Sequence, residues 1–185
     1  MIRSGHHHAS SIAIREFIHP QYSRGNSMSP FERTAGRSTR ILVPIDATED
    51  SRWGVRYSLW RRRQGAEVEV ILLNVGEPIT QWQVLRFRTQ REIAEFQSGR
   101  AQSFIEDAGH SLAQENIPYR GLFRQGDTVF SILDTAEELD CDEIAMPLAR
   151  WGSNTLSKEV MSRAKKERRD IPVVIVNSEG VPVTS

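Results

Sequence analysis

Cysteine is almost absent from the 185 residues: Cys141 stands alone. No intramolecular disulfide can form, so the fold does not depend on an oxidising compartment. No apolar run approaches the roughly 20 residues that cross a bilayer. The N-terminal stretch also lacks the apolar core of a secretory signal, and the cytoplasm is the default compartment. Net charge is missing too, with 24 Lys and Arg against 24 Asp and Glu. That balance hides an asymmetry, because residues 1–40 carry six arginines against two glutamates and the remainder is acidic. An acidic folded part is poor material for a nucleic-acid partner, whose binding rests on phosphate neutralisation. Catalytic signatures are lacking as well. There is no Walker phosphate loop and no Gly-x-Ser-x-Gly elbow. His19 and His110, the histidines outside the His6-His7-His8 triplet, have no triad-like companion. The expectation is a non-enzymatic protein without a metal.

What is present divides into three parts. Residues 1–39 read as a disordered arm, punctuated by Gly25-Asn26-Ser27-Met28-Ser29-Pro30 and holding one apolar patch from Ile12 to Ile18. Three adjacent histidines in such an arm fix no metal geometry. From Arg40 the character changes. Ile41-Leu42-Val43-Pro44-Ile45 and Val68 to Val75 are continuous apolar runs, as expected of strands buried on both faces of a parallel sheet. Trp53, Tyr57 and Trp60 recur at helical spacing between them, and Gly65 marks a helix end. A long amphipathic helix is expected over about Gln83 to Gln114, then a strand over Tyr119 to Arg124, polar enough for a sheet edge. Gly126-Asp127 supplies a turn and a cap for a helix carrying Ile132, Leu133, Ala136 and Leu139. A short strand ending at Met146-Pro147, a helix with Leu156, Val160 and Ala164, and a strand over Ile171 to Val176 complete the pattern. Alternation of strand and helix predicts an α/β fold: a single doubly wound parallel sheet with right-handed crossovers and helices on both faces. The folded domain is expected over residues 40–178, with residues 179–185 a flexible tail.

Three segments in this order carry a family resemblance. Ile41 to Ser51 resembles the opening strand and turn of universal stress proteins. Gly126-Asp127 with Ile132 to Ile144 is similar to their third helix and fourth strand, and Asp170 to Val176 to their closing strand. The resemblance implies a five-stranded parallel sheet in the order 3-2-1-4-5. It also implies a homodimer in which the strand Val173-Val174-Ile175-Val176 meets its copy, burying an apolar edge that would otherwise invite aggregation.

In such a sheet the ligand crevice lies beyond the carboxyl ends of the strands, where the strand order reverses. Here that places Asp46, Val75, Met146, Pro147 and Arg150 around it. Many relatives bind ATP there with a Gly-x-x-Gly-x9-Gly-Ser/Thr motif that lets backbone N–H groups approach the phosphates. This chain departs from the motif throughout: Pro147 and Arg150 take the first two glycine positions, Val160 the third, and Met161 the Ser/Thr position. Proline donates no N–H and the other side chains are bulky, so the cradle is dismantled and ATP or AMP is not expected as a cofactor. Asp46 reads first as a turn or cap aspartate and second as a nucleoside contact. Arg150-Trp151 has the chemistry to stack on a base or hold an anion, though such pairs more often cover apolar surface. Trp82 and Phe87, among Arg86, Arg88 and Arg91, are a candidate partner surface. Arg61-Arg62-Arg63 and Lys165 to Arg169 read as helix-end cations, and Cys141 as a small buried thiol. The function that follows is a dimeric stress-response module working by protein interaction, with the arm as a possible docking element. The alternative is an adenine-nucleotide sensor or weak ATPase with an altered phosphate loop.

Overall fold

A computed structural model describes residues 14–17, 38–77, 89–148 and 155–183. In chain order the elements are β1 (Ile14–Phe17), β2 (Thr39–Pro44), a 3-10 turn (Asp50–Arg52), α1 (Trp53–Arg63), β3 (Val68–Gly76), α2 (Gln90–Gln114), β4 (Tyr119–Gln125), α3 (Thr128–Glu138), β5 (Glu143–Pro147), α4 (Thr155–Glu167) and β6 (Val173–Val176). Five strands form a parallel sheet in the order β4-β3-β2-β5-β6, which is the expected 3-2-1-4-5.

The alternation of side chains along buried strands divides the core in two. Ile41, Val43, Val70 and Leu72 face α1 and α2, packing with Trp53, Tyr57, Ile105 and Leu112. Their neighbours Leu42, Ile71, Leu73, Ile144 and Met146 face α3 and α4, packing with Ile132, Leu133 and Val160. Continuous apolar runs are therefore required, since neither face of the sheet meets water. Helix α1 lies very close to the sheet because Gly54 has no Cβ; one there would stand 2.5 Å from Val43 Cγ1 and 3.2 Å from the Ala145 carbonyl. Helix α2 begins at a capping box, with Thr89 and Glu92 exchanging side-chain and backbone hydrogen bonds. The expected start near Gln83 lies outside the described residues.

Both chain ends depart from expectation. Ile14–Phe17, within the arm expected to be unstructured, adds a sixth strand antiparallel to β4, with Ile14 opposite Arg124 and Phe17 opposite Gly121. The third core strand is therefore not an edge. The tail expected to be flexible from residue 179 is held as far as Val183. Its Val183 N–H donates to the Ile175 carbonyl (2.8 Å), and the Asn177 N–H to the Val181 carbonyl (3.0 Å). A pair of unprotected sheet edges is a hazard, and each end of this chain covers part of one.

Two buried groups tie the sheet to its surroundings. The Tyr57 hydroxyl donates to Glu143 (3.0 Å) beneath α1, with Arg61 Nε 3.8 Å from the same carboxylate. Burial, then the Glu143 charge, pushes the Tyr57 hydroxyl up to about 12, against a smaller opposing pull from Arg61. Burial likewise pushes the Cys141 thiol up to about 12, with Arg40 opposing. Both groups are neutral in the folded state and ionise more readily when unfolded, from ordinary values of 9.0 and 10.0. Their stabilisation is complete below pH 9.0 and is lost as the pH rises towards about 12. The urea midpoint is expected to fall across that alkaline window, and Cys141→Ala to flatten its first part. A midpoint flat through the window would contradict this. At neutral pH the same thiol should resist alkylation.

Candidate crevice at the carboxyl edge of the sheet

The strand order reverses between β2 and β5, and a cavity of about 850 Å³ opens above that point. Its floor comes from strand ends and one helix: Ile45, Leu73, Val75, Met146, Pro147 and Leu156. Its rim is acidic. Asp46 and Asp50 follow β2, Glu77 follows β3, Asp127 precedes α3, and Glu159 lies on α4. Among the described residues no lysine, arginine or histidine lines it.

The loop after β2 is braced from below and above. Buried Asn74 donates its side-chain amide to the Ile45 carbonyl at 2.6 Å. The Asp46 carboxylate accepts from the Thr48 N–H (2.7 Å) and hydroxyl (2.5 Å), and the Ser51 hydroxyl bonds the carbonyls of Asp46 (3.2 Å) and Thr48 (2.8 Å). Asp46 therefore forms the turn that launches α1. Asp127 caps α3 by accepting from the Phe130 N–H at 2.9 Å. That carboxylate occupies the helix end where a phosphate would otherwise find backbone donors.

Four of the five residues placed at the crevice by the sequence, Asp46, Val75, Met146 and Pro147, line this one cavity. Arg150, with Trp151, Trp82, Arg86, Phe87 and Arg88, lies outside the described residues. The sequence reading missed the acidic rim. Gly126-Asp127 was legible as a turn and cap, but Glu77 and Glu159 carry no local signal and meet only through the fold.

Residues 38–176 match the universal stress protein family. The chain belongs to that family. No curated protein matches it. Among solved structures, the universal stress protein domain is similar to the hypothetical protein MJ0577, at 19% identity and a TM-score of 0.60, over 75% of this chain and 95% of that one. It is similar to a universal stress protein family member from Burkholderia pseudomallei (12%, TM-score 0.59, 75% and 95%). A third is a family member from Arabidopsis thaliana with AMP bound (13%, TM-score 0.55, 75% and 91%). At these identities the likeness is one of fold.

Away from the crevice, Arg169 gathers Asp134 (2.8 Å), Glu137 (2.7 Å) and Glu167 (2.8 Å) at the opposite end of the sheet, tying α4 to α3. This accounts for the last cation of the Lys165–Arg169 run without a ligand. Among the described residues there is no group of metal-ligating side chains, and no helix is long and apolar enough to cross a membrane.

Proposed function

We propose that this universal stress protein domain is a non-catalytic binding module whose crevice does not hold ATP. The observation that carries the reading is the charge of the cavity: five carboxylates and, among the described residues, no cation. A carboxylate about 6 Å from a phosphate opposes it by about 0.7 kcal/mol even in a water-like dielectric, so three together weaken binding about thirtyfold. Pro147 supports the same reading, since it ends β5 where a donor N–H would be needed. Among the described residues, the Thr48 hydroxyl beside the Asp46 carboxylate is held in the turn that launches α1, and no histidine or lysine lines the cavity to serve as a general base. The module would work through its surfaces, as a homodimer meeting through Val173 to Val176. Val173, Val174 and Ile175 are half-buried; Val181 and Val183 lie exposed a few residues on, and exposed Leu148 donates its N–H to the Val176 carbonyl (2.8 Å). The docked tail already takes the Ile175 carbonyl and the Asn177 N–H on that edge, so a second copy competes with it.

One observation favours a second reading. The cavity has the volume and apolar floor of a small-molecule site, and the Arabidopsis relative is described with AMP bound. A nucleoside or monophosphate lying on Val75 and Met146 is the form this takes. Calorimetric titration with ATP and AMP, together with assay of the denatured protein for released nucleotide, separates the two. The expected result is no released nucleotide and no micromolar ATP binding. Stoichiometric nucleotide or micromolar ATP binding would overturn the first reading.

A further inference from the structure

The direction of β1 decides where the first residues of the chain go. Because β1 runs antiparallel to β4, with Ile14 opposite Arg124, the chain ahead of Ile14 arrives at the carboxyl edge of the sheet. Gly126 and Asp127, two and three residues beyond Arg124, line the crevice. Residues 1–13 therefore join the sheet on the side where the crevice opens, not at the far end. Their composition is one-sided: Arg3, His6, His7 and His8, with no aspartate or glutamate. Their apolar residues include Ile2 and Ile12.

We propose that residues 1–13 of the same chain dock in the acidic crevice, as an internal occupant that an external ligand must displace. Two independent facts meet here: the tether point set by β1, and the complementarity of a cationic segment to a rim of Asp46, Asp50, Glu77, Asp127 and Glu159. The reach is sufficient. The β2–β5 junction lies three to four strand spacings from β1, roughly 15–19 Å. Thirteen extended residues span about 40 Å, and the six from His8 to Ile14 about 20 Å. Tethering also raises the local concentration of the segment at the crevice, so a weak contact suffices. The imidazoles donate hydrogen bonds to carboxylates in either protonation state, and Arg3 adds a fixed charge. Ile2 and Ile12 suit the floor of Val75, Met146 and Leu156. The proposal goes beyond the exclusion of ATP and does not depend on it, since the crevice could hold residues 1–13 whether or not a nucleotide competes.

The test uses the full chain with a nitroxide on Ser4→Cys; Cys141 is buried and stays unlabelled. In the 15N spectrum, Thr48, Asp127, Thr128 and Val129 amides should lose intensity severalfold against the reduced label. That loss should disappear in 1 M salt, where the screening length is about 3 Å, and in the double variant Asp127→Asn, Glu159→Gln. Asparagine still caps a helix, so that variant should keep the fold, as its own spectrum would show. Broadening that ignores salt and the double variant would reduce the effect to tethering and overturn the proposal. So would broadening seen only when labelled and 15N chains are mixed, which would put the segment on a second copy. ATP titration reads the exclusion of nucleotide alone, and the broadening reads the docking alone.

Discussion

Glu138→Ala is expected to destabilise the protein by about 3 kcal/mol, while Arg124→Met costs less than about 1 kcal/mol or stabilises it. Arg124 lies on β4 with its side chain 4% exposed, facing α3, where its guanidinium pairs with Glu138. Among the described residues its Nε has no hydrogen-bond partner. Removing the carboxylate strands a buried cation that has already lost its water, and the desolvation penalty is then uncompensated. Glu138 is itself half-exposed at 55%, so water can partly take its place, which sets the loss at the lower end of the range for such pairs. Methionine keeps the volume of the arginine stem and removes the charge altogether, so the penalty goes with the partner. Urea midpoints at constant m-value report both singles, and the double variant completes the cycle. A larger loss for Arg124→Met than for Glu138→Ala would mean that the arginine stem contributes by packing more than the pair does by charge.

The parallel core was legible because its signal is local. Ile41 to Ile45 and Val68 to Val75 are apolar without interruption, and only a strand covered on both faces asks for that. Helix spacing, the Gly126-Asp127 turn and the closing Val173 to Val176 run were equally local. What escaped the sequence was whatever depends on a distant partner. Ile14-Arg15-Glu16-Phe17 is too short to declare itself, and it becomes a strand through its hydrogen bonds to β4, over a hundred residues away. The tail hides its hydrogen bonds to β6 behind a proline, Pro182, that gives no strand signal of its own. Thr89-x-x-Glu92, by contrast, is a capping box written plainly in the chain, and it caps α2.

The site divides along the same line. Loss of the glycine motif reads directly from Pro147, Val160 and Met161, because it is a matter of which residue stands at which spacing. The acidic rim does not, because Glu77, Asp127 and Glu159 come from three separate elements. The departure from the glycine spacing is local to the sequence; the fold adds that, among the described residues, carboxylates rim the cavity.

Gly180→Ala is expected to release the tail, lowering stability by about 2–3 kcal/mol and tightening self-association. Gly180 is buried with φ +74°, and a Cβ there would stand 2.4 Å from the Arg56 carbonyl carbon and 2.5 Å from the Tyr57 nitrogen. Those are backbone atoms of α1 and cannot move aside, so the turn must leave. With it go the contacts that define the turn: Asn177 Oδ1 accepting from Glu179 (3.0 Å) and Val181 (2.9 Å), the Gly180 N–H on the Asn177 carbonyl (2.9 Å), and Arg56 on the Ser178 carbonyl (2.8 Å). The Ile175 carbonyl and Asn177 N–H are then free on the β6 edge. If two copies pair through Val173 to Val176, the tail competes with the second copy, and each 1.4 kcal/mol no longer spent displacing it lowers the dimer dissociation constant about tenfold. Sedimentation equilibrium reads that constant, and hydrogen exchange at Val183 confirms that the tail has come away. Weaker association in Gly180→Ala would make the docked tail part of the contact, with Val181 and Val183 facing the partner copy in place of the bare edge of β6.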